Sequence, residues 1–116
     1  MTTPISAQIA SGSTNGRPIA VAATSSPGTT LHAATSTSGQ VDEVSIYVTN
    51  VDASARELTL ERGGTSTSDT LKVTIPAKSG DVLVMDGLRF NGGVVIKAWA
   101  SAANVLNATV VVNRVG

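Results

Sequence analysis

From Arg17 onward the chain repeats one device: a short run of alternating apolar and polar side chains, rich in Val, Ile and Thr, closed off by Gly, Ser, Pro or Asp. Successive side chains of a strand point to opposite faces, so each such run has one apolar side and one polar side. Helical spacing at i, i+3 and i+4 is sustained nowhere. The expected strands are Ile19–Thr24, Thr29–Ala34, Val41–Asn50, Glu57–Arg62, Thr70–Ile75, Asp81–Met85, Val94–Ser101 and Val105–Val115. Val44, Ile46 and Val48 form an inward row, with Ser45, Tyr47 and Thr49 outside. Leu71, Val73 and Ile75 form another, and Leu106, Ala108, Val110 and Val112 oppose Asn107, Thr109, Val111 and Asn113. Strands with one apolar side bury it by stacking as two antiparallel sheets. The expected fold is all-β, a single antiparallel β-sandwich of jelly-roll or immunoglobulin-like kind. With no cysteine there is no Cys–Trp–Cys spacing to select an immunoglobulin domain, so the topology stays open.

The punctuation agrees with short strands. Ser26-Pro27-Gly28 suits a tight turn and Pro76-Ala77-Lys78-Ser79-Gly80 a longer one, while Arg62-Gly63-Gly64-Thr65, Asn91-Gly92-Gly93 and Ala102-Ala103-Asn104 read as hairpin loops. Ser54-Ala55-Arg56-Glu57 matches a capping box, which allows at most one helical turn in the loop from Asp52 to Glu57. Residues Met1–Gly16 are Thr, Ser, Ala and Gly with Pro4 and Asn15-Gly16, lack a sustained period, and are expected to form an extended N-terminal arm ahead of a β-sandwich domain over 17–116.

A chain of 116 residues has room for one core. Its only aromatic residues are Tyr47, Phe90 and Trp99, so that core must consist of Val, Leu, Ile and Ala. Small side chains bury less area than aromatics, and association would add burial.

Composition also narrows the function. Eight basic and eight acidic side chains cancel and are scattered, which disfavours nucleic acid, since phosphate binding needs concentrated Lys and Arg. Met1–Ala10 has neither the basic start nor the apolar run of a signal peptide, and no segment approaches the ~20 apolar residues that span a bilayer. One histidine and no cysteine cannot supply the usual zinc or iron ligands. Asp42, Asp52, Asp69, Asp81 and Asp86 lack the ordered spacing of a calcium loop. No cofactor is therefore expected.

Catalytic readings are equally thin. His32 is the sole base for a Ser/His/Asp set, and no serine sits in a G-x-S-x-G elbow. Glu57 and Glu61 share a strand face with Thr59 between them, a pair a glycosidase would use and a solvated face explains equally well. The two glycine pairs match no phosphate-binding loop, and the sequon Asn107-Ala108-Thr109 falls in mid-strand. Trp99 stands out because Val95, Lys97 and Trp99 face away from Val94, Ile96, Ala98 and Ala100, so both sides of that strand are partly apolar. Val105 and Val111 raise the same question for the last strand. Two strands apolar on both sides favour oligomerisation. The interface candidates are Ile5 and Ile9 on the arm, together with Arg17, Tyr47, Trp99, Val105 and Val111.

The run Asn15-Gly16-Arg17-Pro18-Ile19-Ala20-Val21-Ala22-Ala23-Thr24, continuing through Ser25-Ser26-Pro27-Gly28-Thr29-Thr30-Leu31-His32, resembles the start of small virion proteins of tailed bacteriophages. Asp42-Glu43-Val44-Ser45-Ile46-Tyr47-Val48-Thr49-Asn50-Val51-Asp52 and Asn91-Gly92-Gly93-Val94-Val95-Ile96-Lys97-Ala98 are similar to segments of the same proteins. The likeness covers most of the chain from Asn15. It implies a non-enzymatic capsid decoration or cement subunit of the virion, assembled in the host cytoplasm and bound to capsid or other virion proteins. By analogy it also implies a homo-oligomer, a trimer favoured, whose arm lies along a neighbouring subunit, with no nucleic-acid or membrane contact. The competing expectation is a carbohydrate- or receptor-binding sandwich with Trp99 and Tyr47 as stacking platforms.

Overall fold

The structure is a computed structural model that describes residues 4–116. Its elements are the strands β1 (Ile5–Ile9), β2 (Ile19–Ala20), β3 (Thr29–Ala33), β4 (Val41–Asn50), β5 (Arg56–Arg62), β6 (Thr70–Ile75), β7 (Ser79–Phe90), β8 (Val95–Ala100) and β9 (Leu106–Val115). No helix occurs among the described residues, and Asp52–Ser54 is a bend that never closes the helical turn the capping-box pattern of Ser54–Glu57 allowed. Glu57 instead sits in β5 and donates its amide to the Ser101 hydroxyl, while Asp52 holds Arg56 by a 2.6 Å hydrogen bond from Nε.

Two antiparallel sheets face each other. Sheet A runs β1-β9-β4-β7, with β2 also paired to β9, and sheet B runs β3-β8-β5-β6. With β1 and β2 counted as two halves of one edge strand, this is the double-Greek-key order of a jelly roll, which resolves the topology the sequence left open. The chain changes sheet at most of its connections. The loops around Asn91-Gly92-Gly93 and Ala102-Ala103-Asn104, expected as hairpins, carry the chain between sheets; of the three expected hairpin loops only Gly63–Asp69, between β5 and β6, closes one.

Alternation sets the core. β4 reads half-buried and buried in strict turn, placing Val44, Ile46 and Val48 at full burial beside Leu106, Ala108 and Val112 of β9. Leu31, Leu58, Leu60, Ile75, Ile96 and Ala98 close the core from sheet B. Each fully buried Val, Leu or Ile contributes roughly 1.5–3 kcal/mol through removal of apolar surface from water. As expected the core is aliphatic: Phe90 packs only partly against it, and Tyr47 and Trp99 lie outside it.

Most strand limits match the alternation, with two departures. The first edge strand stops at Ala20 rather than Thr24, although the Val21 amide still reaches the Leu106 carbonyl. The seventh extends to Phe90 because it follows β4 through three register shifts, which absorb the break in alternation around Gly87. Of the segment read as an arm, residues 1–3 lie outside the described residues. Ile5–Ile9 form β1, laddered to Val111–Val115 of the same chain.

Candidate functional site

Three surfaces or clusters gather the residues that the sequence singled out. The first lies between the sheets at the end where β4 begins. Asp42 belongs to the same inward row as Val44, Ile46 and Val48, so alternation drives its carboxylate into the interior, where it is fully buried. Arg114, in phase with the inward row of β9, meets it with two bonds, Nε to Oδ1 at 2.7 Å and Nη2 to Oδ2 at 3.1 Å. The Thr35 amide donates to Oδ2 at 3.0 Å, and His32 Nε2 lies 2.8 Å from the same oxygen. His32 reaches across from sheet B because β3 carries a bulge between Thr30 and His32, which turns the ring inward. Its Nδ1 accepts the Ser11 amide at 3.0 Å, so the ring proton sits on Nε2 and is donated to Asp42. The Arg114 hydrogen bonds hold the Asp42 carboxyl well down, at about 2; burial opposes this, and the His32 and Thr35 bonds reinforce it. The same contact raises the Arg114 guanidinium above its ordinary value. This chain of polar contacts ties the loop after β1 to both sheets. The Ser11 hydroxyl accepts the Ala33 amide at 2.7 Å, and it is the Ser11 amide, not its hydroxyl, that meets the ring.

Asn50 forms a matching tie at the far end of β4. It is buried and donates from Nδ2 to the Ser54 and Ile75 carbonyls, while its Oδ1 accepts the Asp52 amide. β4 is thus polar at both ends of its inward row and apolar between them.

The second region is the outer face of sheet B. Glu61 and Lys97 are direct partners across β5 and β8, and Thr59 stands beside Trp99 in the next row. Glu57 is exposed whereas Glu61 is buried, because the Ser26-Pro27-Gly28 turn folds over it and the Gly28 amide donates to its Oε1 at 2.8 Å. The two carboxylates therefore share a face but not an environment. Burial pushes the Glu61 carboxyl up; hydrogen bonding from Ser26, Gly28 and Trp99 and the Lys97 charge outweigh it and leave it lowered. Lys72 Nζ sits 4.5 Å from the centroid of the Trp99 ring, a cation–π contact, and also donates to the Thr59 hydroxyl at 3.0 Å. The indole nitrogen of Trp99 is buried and, among the described residues, makes no well-formed hydrogen bond; it acts on Glu61 as a nearby, poorly aligned donor. Beside this row a shallow cleft of about 480 Å³ runs between Gly63-Gly64-Thr65 and Gly92-Gly93, with Glu61 and Lys97 on its floor.

The third region is the outer face of sheet A. Ile9 pairs with Val111 and Val111 with Ser45; Thr109 pairs with Tyr47 and Tyr47 with Leu83; Ile5 pairs with Val115 and Val115 with Val41. Direct cross-strand partners share a face, so Ile9, Val111 and Tyr47 stand in adjoining rows of one surface, with Ile5 on the same face beyond the row that holds the Glu43–Arg89 ion pair. Ile5 is 70% exposed, Ile9 61%, Leu83 46% and Val111 44%. Of the remaining interface candidates, Trp99 lies on the opposite sheet, Arg17 lies in the loop between β1 and β2, and Val105 is half-buried against the core.

Sequence reading missed the Asp42–Arg114 pair and the Lys72–Trp99 contact. A signal for the first was present: Asp42 and Arg114 each continue an apolar inward row. Among the described residues no group of three or more His, Cys, Asp and Glu side chains converges as a metal site would require. Comparison with protein-family models, with curated proteins and with solved structures returns no match.

Proposed function

We propose that this domain is a non-enzymatic structural subunit that works by protein–protein contact through the outer face of sheet A. The setting we propose is the virion of a tailed phage, with the chain acting as a capsid decoration or cement protein and self-associating there. One observation carries the contact reading: three sizeable apolar side chains, Ile9, Leu83 and Val111, stand 44% or more exposed in the rows about Tyr47 on a single sheet face, with Ile5 on the same face further along β1. Contiguous exposed apolar surface of this kind marks sites of association. The virion setting rests on the resemblance of the segments from Asn15 onward.

The state of the polar groups favours this reading over catalysis. Both ring nitrogens of His32 are engaged in static hydrogen bonds, and the ring is 2% exposed, which leaves it no free lone pair for a substrate. A glycan reading is weakened by placement. Tyr47 and Trp99 occupy opposite sheets, and Lys72 already covers the Trp99 ring, so two aromatics do not combine into one stacking platform.

Two measurements test the proposal. Val111→Asp should abolish attachment to particles while leaving thermal unfolding close to wild type, because the side chain is exposed and such surface changes stay within about 0.5 kcal/mol. Immunogold labelling of purified particles from the cells that make the chain should place it on the particle shell. Unlabelled particles would overturn the virion setting, and attachment that survives Val111→Asp would overturn the use of this face.

A further inference from the structure

Two stacked sheets have four edges, and in this molecule three are guarded. β3 is covered by the loop after β1, where the Gly12 amide donates to the Leu31 carbonyl and the Ser11 hydroxyl accepts the Ala33 amide. β6 is six residues long, carries Lys72 and stops at Pro76. β7 is broken by register shifts against β4 and bears Asp81, Asp86 and Arg89. Cover, charge, short length and bulges are the devices by which natural sheets avoid pairing with other chains. β1 is short as well, at five residues, and follows Pro4, but among the described residues it has no cover, no charge and no bulge. Its ladder to β9 runs through five residue pairs without a shift, and no charged side chain precedes Arg17 in the sequence. Its free edge is flanked by two isoleucines that the fold leaves 70% and 61% exposed.

The sequence of β1 also specifies what would fit against it. Ile5-Ser6-Ala7-Gln8-Ile9 has the same order of polarity in both directions. Paired antiparallel with a second copy about Ala7, it sets Ile5 opposite the partner's Ile9 on the outer face, and Ser6 opposite the partner's Gln8 on the other. Every apolar side chain meets an apolar one, and the Ser6–Gln8 hydrogen bond seen within one copy at 3.0 Å has an equivalent across the pair. A one-residue slip would set isoleucine against a polar residue and turn it to the wrong face.

We infer that β1 is the self-recognition edge of this protein: two copies join β1 to β1 antiparallel across a twofold axis through Ala7, fusing their A sheets into one continuous sheet. Such a contact uses the same patch on both copies and closes at two, so the assembly unit is a dimer rather than the trimer the resemblance implies. The pairing stands on the edge alone and holds whether or not the chain belongs to a particle.

Sedimentation velocity of the full chain across a concentration series tests it. Wild type should show a reversible monomer–dimer equilibrium. Ala7→Lys and Ala7→Glu place like charges opposite each other at the axis, and each should raise the dissociation constant about tenfold or more. An equimolar mixture of the two variants should restore the dimer, because the charges across the axis are then opposite. Ala7 is solvent-exposed in the single copy, so at concentrations where wild type is monomeric both variants should melt as wild type does. A wild type that stays monomeric at the highest attainable concentration overturns the inference. So does association that Ala7→Lys leaves intact, or single-variant weakening that the mixture fails to reverse. Absence of the chain from particles leaves these outcomes unaffected, so the two proposals fail separately.

Discussion

Asp42 is the residue on which the end of the sandwich depends. A carboxylate this deep is tolerable only because Arg114, His32 and the Thr35 amide satisfy it together. Its folded value of about 2 lies below that of an unfolded aspartate, so ionised Asp42 stabilises the fold fully above about pH 4. That contribution is lost as the pH falls from about 4 toward 2, and it amounts to at most ~2 kcal/mol because water reaches Arg114 and screens the pair. Urea unfolding followed across this range should show wild type losing stability faster than Asp42→Asn. Asp52 and Glu61 are lowered as well, so the difference between the two proteins isolates Asp42. Parallel acid profiles would rule the assignment out. At this scale the sequence was half legible: the phase of Asp42 and Arg114 could be read off alternation, whereas the bulge that turns His32 toward them has no local signature.

Among the elements, β4, β6 and β9 followed from alternation because each has an unbroken apolar row facing one partner sheet. β1 was overlooked as a strand for the opposite reason: its two isoleucines face solvent, and only the β9 ladder reveals its pairing. The expected hairpins failed at Asn91-Gly92-Gly93 and Ala102-Ala103-Asn104 because a turn signal reports that the chain reverses, not which sheet receives it. The Ser26-Pro27-Gly28 turn shows how a loop closes on a strand. A Cβ at Gly28 would lie 2.6–2.8 Å from the Ala98 backbone O, C and N atoms, none of which can yield. Gly28→Ala should therefore lift the turn from β8, break the amide bond to Glu61 and leave that carboxylate under-satisfied. The expected cost in chemical denaturation is about 1–3 kcal/mol. A loss below about 0.5 kcal/mol, the scale of an ordinary surface change, would mean the turn is not clamped there.

At the scale of the molecule, interior and exterior divide the labour. The interior is aliphatic with a polar tie at either end of β4, and what remains for recognition is the outside of each sheet and one unguarded edge. The fold class was legible from period-two patterning alone; the surfaces were not, because an apolar residue on an outer row looks the same in sequence whether a loop covers it or solvent does. One detail of the edge bears on engineering. The Gly116 amide donates to the Pro4 carbonyl at 2.9 Å, so residues 4 and 116 sit at one corner of sheet A. A short linker from 116 back to 4, with the chain reopened in the exposed loop between β5 and β6, should yield a circular permutant with the same cooperative melt. Cargo fused at either position would likewise leave the molecule from that single corner, displayed side by side.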